Sequence, residues 1–248
     1  MVQCLDAPNP VLTIARAQSS EALDLDALNQ QFEQATPQQI LIWCLQNLPE
    51  GLAQMTSFSM LALTHMLYAE LNAPIPVVFI DTLHLFPETL ETAEKAQATY
   101  NLDLHTFYAN GITSREAFAQ RYGDALWSRD VVRFHQLTKV EPLQRALDEL
   151  KVKTWITGRR RDQSEQRQDL PIVERDTDGR LKVNPLANWT RKDIWGYTFE
   201  HGVLYNPLHD QGYTSIGDQP LTTQVQNGED ERAGRWRGSV KTECGIHG

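Results

Sequence analysis

Apolar and polar positions recur along the chain with two different periods, and the points where the period changes divide it into elements. Pro76-Val77-Val78-Phe79-Ile80 has no polar position, the pattern of a strand buried on both faces of a parallel sheet. Leu52-Ala53-Gln54-Met55-Thr56 reads as an earlier strand, followed by Ser57-Phe58-Ser59 and an apolar helix running to about Leu71. Asp81-Thr82 closes the 76–80 strand, and a helix begins near Pro87, a residue that fits the first turn because its missing N–H would be unpaired there anyway. A third strand is expected over about 102–108, helices near 113–122 and 141–150, and a further strand over 152–157, ending at Gly158. Upstream, the spacing predicts helices over roughly 24–34 and 37–48, the second with Pro37 in its first turn. The segment 171–185 carries Asp178-Gly179 between two short extended runs and reads as a hairpin. Thr190-Arg191-Lys192-Asp193 has the form of a capped helix start. Beyond Asn206 the pattern breaks up, and glycines and charges dominate from Gly228.

Strands alternating with helices predict an α/β domain with a doubly wound, mainly parallel sheet. Its extent is expected to be 1–227, with 1–50 as an N-terminal helical part, and a flexible tail over 228–248. No internal repeat interrupts this order. A chain of 248 residues suffices for one large core, and 41% hydrophobic with 22% charged residues describes an ordinary globular protein. No run approaches the roughly 18 apolar residues of a membrane span. The start, Met1-Val2-Gln3-Cys4-Leu5-Asp6, lacks the basic and apolar segments of a secretion signal. Three scattered cysteines, Cys4, Cys44 and Cys244, argue against a disulfide framework and suit a reducing cytoplasm.

A net charge of −9 argues against a non-specific nucleic-acid binder. The basic residues are nevertheless gathered. Arg159, Arg160, Arg161 and Arg167 crowd one segment, and Arg232, Arg235, Arg237 and Lys241 crowd another. Such clusters suit a small polyanion, although solvated charged faces look the same in sequence. In open α/β sheets, ligands bind beyond the carboxyl ends of the strands. Three features fall there: Ser57-Phe58-Ser59, Asp81-Thr82 and Gly158-Arg159-Arg160-Arg161. Hydroxyls and backbone N–H groups at a helix start suit phosphate, Asp81 suits a ribose hydroxyl or adenine amino group, and arginines fork onto phosphate or sulfate oxygens. The last cysteine, Cys244, stands near the chain end with Lys241, His247, Arg235 and Arg237 favouring its thiolate and Glu243 opposing it. The segment from Gly228 to Cys244 would span roughly 50 Å if extended, enough for one thiol to meet two partners.

These residues resemble the 3′-phosphoadenylyl sulfate (PAPS) reductases, thioredoxin-dependent enzymes of sulfate assimilation. The resemblance is carried by Ser57-Phe58-Ser59, Phe79-Ile80-Asp81-Thr82 with Leu85-Phe86-Pro87-Glu88-Thr89, and Lys139-Val140-Glu141-Pro142-Leu143. It continues through Thr157-Gly158-Arg159-Arg160-Arg161-Asp162-Gln163-Ser164, His201-Gly202, Asn206-Pro207-Leu208, Gly212-Tyr213, Ser215-Ile216-Gly217-Asp218 and Glu243-Cys244-Gly245-Ile246-His247, in the family's order over about 190 residues. It implies an adenine nucleotide α-hydrolase-like fold related to the PP-loop pyrophosphatases. A sister branch reduces adenylyl sulfate (APS) with an iron–sulfur cluster, using a Cys-Cys pair and a Cys-x-x-Cys. Phe134-His135 and Asp218 to Leu221 stand at those positions here, so no cluster is expected and no bound cofactor is implied.

The implied chemistry has the Cys244 thiolate attack the sulfuryl sulfur of PAPS. This gives an S-sulfocysteine and releases adenosine 3′,5′-bisphosphate; reduced thioredoxin or glutaredoxin then expels sulfite. By resemblance, Lys139, Arg167, Arg232, Arg235 and His247 would surround the phosphosulfate, with Arg160 as a further candidate. Ser57, Phe58 and Ser59 would contact phosphate, and Asp81 and Thr82 would lie near the nucleoside. A cytoplasmic homodimer is the expected state. Three other readings remain: a cluster-free APS reductase, a PP-loop ATP pyrophosphatase, and a non-catalytic nucleotide-binding protein. Against the second, Ser57-Phe58-Ser59-Met60 lacks the fuller Ser-Gly-Gly-x-Asp loop; against the third, the Cys244 tail has no evident use in binding alone.

Overall fold

The computed structural model describes residues 23–226, 228–236, 245 and 246. Two helices precede the sheet, α1 (Leu25–Phe32) and α2 (Pro37–Asn47). Asp24 caps α1 by accepting from the Ala27 N–H, and Thr36 with Gln39 forms a reciprocal capping box ahead of Pro37. The strands are β1 (Leu52–Thr56), β2 (Val77–Ile80), β3 (Leu104–Phe107), β4 (Thr154–Ile156), β5 (Val173–Arg175) and β6 (Leu181–Val183). They form one sheet in the order β3-β2-β1-β4-β6-β5, parallel throughout except for the antiparallel β5–β6 pair. The expected hairpin over 171–185 is this last pair. Asn29 on α1 covers the start of its outer edge, donating to the Val173 carbonyl and accepting from the Val173 N–H, so those backbone groups are not left to recruit another chain.

The remaining helices are α3 (Ala62–His65), α4 (Pro87–Tyr100), α5 (Arg115–Tyr122), α6 (Leu126–Arg129), α7 (Val131–His135), α8 (Glu141–Glu149) and α9 (Arg191–Glu200). Thr190 and Asp193 cap α9 reciprocally, as the sequence predicts. Two differences from the sequence reading matter. The helix after Ser57-Phe58-Ser59 begins only at Ala62, and after one α turn it widens into a π-helical turn, Met66–Glu70. Residues 123–140, for which the hydrophobic pattern predicts no element, hold α6, α7 and a second π turn, Gln136–Val140, running directly into α8. Asp130 accepts from the Arg133 N–H and so starts α7, a local signal that the β-branched Val131-Val132 masks in a propensity reading.

The sheet is covered on both faces. Along β2, Val77 and Phe79 join the larger apolar cluster with Leu41, Phe58, Leu63 and Met66, while Val78 and Ile80 join the smaller one with Leu143, Leu147 and Trp155. That two-sided burial is why the run 76–80 carries no polar alternation. Each such side chain contributes about 1.5–3 kcal/mol on leaving water. The chain steps from β1 outward to β2 and β3, then returns to place β4 on the other side of β1. The crevice between the carboxyl ends of β1 and β4 is therefore the point where successive loops diverge, and where an open α/β sheet offers a binding site. No helix among the described residues is long and apolar enough to cross a membrane.

Candidate functional site

A cavity opens at that point. Its wall is formed by the loop after β1 (Ser57, Ser59, Met60), Thr82 beyond β2, Lys139, the loop after β4 (Gly158, Arg159, Arg160, Gln163, Arg167) and residues 214–217 and 231–236. Leu63, Phe79, Leu186 and Ile194 supply an apolar floor. Among the described residues, six cationic side chains line it, Lys139, Arg159, Arg160, Arg167, Arg232 and Arg235, against one carboxylate, Glu231. In an acidic protein, such a gathering of cations on one concave wall gives a local positive field that suits an anionic ligand.

The β1 loop is held by Phe58. Its backbone takes φ 51°, a conformation a bulky residue adopts only under constraint. The constraint is its ring, 0% exposed and edge-to-face on Phe79 with centroids 4.9 Å apart. The Phe58 side chain thus lies in the core and does not line the cavity, where the sequence reading placed it as a substrate contact. The turn it enforces presents Ser57, exposed, and Ser59, whose Oγ lies 3.0 Å from His209 Nε2. Neither serine caps α3, whose N-cap is Leu61 without a side-chain bond. Burial holds the pKa of the His209 imidazole below its ordinary value.

Beyond β2, Asp81 also misses the cavity lining. It accepts from the Leu83 N–H at 2.8 Å, and burial raises its pKa. Thr82 faces inward and donates to Asp218 Oδ1 at 2.8 Å. Asp218 is 0% exposed and gathers three partners: Thr82, Lys139 Nζ at 2.5 Å and His135 Nε2 at 3.3 Å. Burial alone would raise the Asp218 pKa, but the Lys139 ammonium and the His135 imidazole outweigh it and hold the carboxyl well below the carboxylate range. The π turn Gln136–Val140 carries Lys139, and such widened turns recur at functional sites because they redirect a side chain that an α turn would point elsewhere.

Trp236 closes the far wall. It is 3% exposed, its Nε1 lies 3.4 Å from His135 Nε2, and Arg235 and Arg232 stack on its ring with Cζ 4.6 Å and 5.3 Å from the centroid. Arg235 also donates to the Ile216 carbonyl at 3.0 Å, and its guanidinium fills the space above Gly217 that a Cβ would occupy. Residues 228–236, at the start of the expected tail, are thereby part of the cavity wall. Ile246 lines the same cavity and packs with Met55, Phe107 and Leu150 against the smaller apolar cluster. Cys244 and His247 lie outside the described residues, as do Arg237 and Lys241.

The three-arginine run divides by role. Arg159 reaches Glu174 and Asn184 Oδ1, Arg161 clamps Glu33 beside α1, and Arg160 turns into the cavity. Of the twelve residues proposed from sequence, the structure brings together Ser57, Ser59, Thr82, Lys139, Arg160, Arg167, Arg232 and Arg235. It also brings in Arg159, named in sequence only as part of the arginine run, and adds His209, Glu231 and the buried Asp218–His135 pair, which sequence reasoning assigned no role. At the positions where a cluster-binding branch would carry thiolates, His135 contacts Asp218, and Leu221 packs against the cluster holding Phe134. Among the described residues, no group of three or more His, Cys, Asp or Glu is arranged to hold a metal.

Residues 53–224 match the family model described as the phosphoadenosine phosphosulfate reductase domain. The chain is 44% identical over 229 residues to the phosphoadenosine phosphosulfate reductase of Emericella nidulans, covering 90% of this chain and 74% of that one. It is also 44% identical over 227 residues to the adenosine 5′-phosphosulfate reductase of Salinibacter ruber, covering 90% and 88%. Among solved structures, the phosphate complex of the Candida auris PAPS reductase superposes with a TM-score of 0.75 at 38% identity, covering 84% of this chain and 98% of that one.

Proposed function

The chain belongs to the phosphoadenosine phosphosulfate reductase family, and we propose that it reduces PAPS to sulfite and adenosine 3′,5′-bisphosphate through a covalent intermediate on Cys244. The observation that carries this reading is one cavity lined both by six cationic side chains and by Ile246, two residues beyond Cys244. In this reading the Cys244 thiolate forms a bond to the sulfuryl sulfur while the bond from that sulfur to the bridging phosphate oxygen breaks. The leaving phosphate gains negative charge, which Lys139, Arg160, Arg167, Arg232 and Arg235 stabilise from fixed positions. Ser57 and Ser59 donate to phosphate oxygens, and Thr82 sits beside the nucleoside. His247 would assist at the thiolate. A thiolate of reduced thioredoxin or glutaredoxin then attacks Cys244 Sγ and expels sulfite. Its second thiol resolves the mixed disulfide, so the dithiol supplies the two electrons that take sulfur from sulfate to sulfite.

A second reading, reduction of APS, is favoured by the Salinibacter ruber relative, whose identity equals that of the Emericella nidulans one. One experiment separates them. The protein is incubated with PAPS or with APS, without thioredoxin, and its intact mass is measured. A sulfonate adduct is expected with PAPS, lost in Cys244→Ser, and released as sulfite when thioredoxin is added. A PAPS-bound protein that forms no adduct would sink the mechanism, and an adduct formed faster from APS would reverse the substrate assignment.

A further inference from the structure

Glu231 is out of place in a site for anions. Among the described residues it is the one carboxylate on a lining with six cations, and its Oε2 accepts from Arg160 Nη2 at 2.6 Å. Arg160 Nε is taken by Asp162 Oδ1 at 2.9 Å, so its inward guanidinium edge is already filled by protein carboxylates. Both members of the pair are enclosed: Arg160 is 3% exposed and the Glu231 side chain 13%. Burial raises the Glu231 pKa, Arg160 and Arg191 pull it back, and Asp162 adds to the rise. The two come from different parts of the chain. Arg160 stands on the loop after β4, whereas Glu231 reaches in from the 228–236 segment, held there by Thr214 Oγ1 donating to its carbonyl at 2.6 Å.

A carboxylate and a phosphate or sulfate offer the same pair of oxygens to a guanidinium fork. We propose that Glu231 occupies a substrate anion's place on Arg160 while the cavity is empty, and that the nucleotide's phosphate or sulfate oxygens displace it on binding. The proposal rests on the nucleotide reading above and adds a residue to it. Asp162 stays on Nε, but the Nη2 of a guanidinium this desolvated would be costly to leave without an acceptor, and Glu231 supplies one. A polyanion wins the exchange because its further anionic groups can engage the five other cations of the lining, whereas a lone carboxylate brings one. Displacement also removes the Glu231 contact that ties the 228–236 segment to the β4 loop, so occupancy of the cavity is felt in that segment.

The test is calorimetric titration of adenosine 3′,5′-bisphosphate into the full chain, as wild type, Glu231→Gln, Arg160→Ala and the double variant. Glu231→Gln removes the charged competitor and is expected to tighten binding about three- to tenfold, the net worth of one ordinary hydrogen bond, because the neutral amide still competes weakly for Arg160. In the Arg160→Ala background the same change is expected to shift affinity less than about twofold, because nothing is left to compete for. Weaker or unchanged binding in Glu231→Gln would overturn the proposal, since it would make Glu231 a support for Arg160. Equal tightening in both backgrounds would overturn it too, as a general charge effect. Should Glu231→Gln not fold, Glu231→Ser carries the same comparison. No nucleotide binding by wild type would overturn the nucleotide reading itself, an outcome distinct from both.

Discussion

Replacing Asp218 by alanine removes the acceptor on which Thr82, Lys139 and His135 converge, at 2.8, 2.5 and 3.3 Å. What remains is an ammonium on a residue 7% exposed with its carboxylate gone. Breaking a buried pair by deleting one partner costs about 3–5 kcal/mol, chiefly the desolvation of the stranded charge. Against a total stability of roughly 5–15 kcal/mol that is a large fraction. At about 2–4 °C per kcal/mol for a chain of this size, the thermal midpoint should fall by about 6–20 °C. The Asp218 pKa is held below its ordinary value, so its contribution is present above the unfolded value near ~3.9 and is lost only as pH falls below that. The wild-type-minus-variant gap should therefore still be present across pH 5 to 8 in urea titrations. The control is Lys139→Met with Asp218→Leu. Removing both charges for apolar groups should recover part of the lost stability, while leaving the cavity without one of its cations and activity low. A cost below about 1 kcal/mol for Asp218→Ala, or a double variant no more stable than the single, would refute the paired-charge account.

Two further predictions follow from the same wall. Arg235→Ala should slow formation of the Cys244 adduct at least tenfold with a small change in thermal midpoint, the loss expected for one charge-stabilising donor. Gly217→Ala should reproduce much of that defect, because the added Cβ occupies the space of the Arg235 guanidinium, the far end of a flexible side chain that can move away; normal kinetics in Gly217→Ala would show that this position of Arg235 is not used. Stability should also fall as pH drops below about 6.5. His84 and His209 have their pKa values lowered by burial, so the unfolded chain takes up protons first and gains relative to the native state. A urea midpoint that stays constant from pH 7.5 to 5.5 would contradict this.

The strands and the site's place were legible because they depend on local pattern. A run buried on two faces cannot hide its lack of polar positions, and Thr190 to Asp193 spells its own cap. The loops after β1 and β4 could be expected to converge because topology puts the ends of parallel strands on one edge. What sequence did not show was set by distance along the chain. Asp218 stands 136, 83 and 79 positions from Thr82, His135 and Lys139, and no local pattern announces such a meeting. Phe58 misled for a different reason. It stands between two serines that face the cavity, but the turn that presents them requires its ring to point the opposite way into the core. The helices over 126–135 were missed because each is only four or five residues long, too short for a 3.6-residue period to register.

The distribution of partners around the cavity also says how such a site gains selectivity. Lys139, Arg159 and Arg160 each already face a carboxylate, Asp218, Glu174 and Glu231, while Arg232 and Arg235 are stacked on one indole. These cations are therefore held in place before any ligand arrives, and a bound anion spends little of its interaction energy on ordering them. For the Arg160 contact the gain is the difference between two carboxylate-like partners, which is smaller than the full attraction of a bare charge. A site of that kind binds each oxygen modestly and discriminates by number: a ligand with one anionic group exchanges at one place, whereas one presenting several at the right spacing engages the preset wall at every place together.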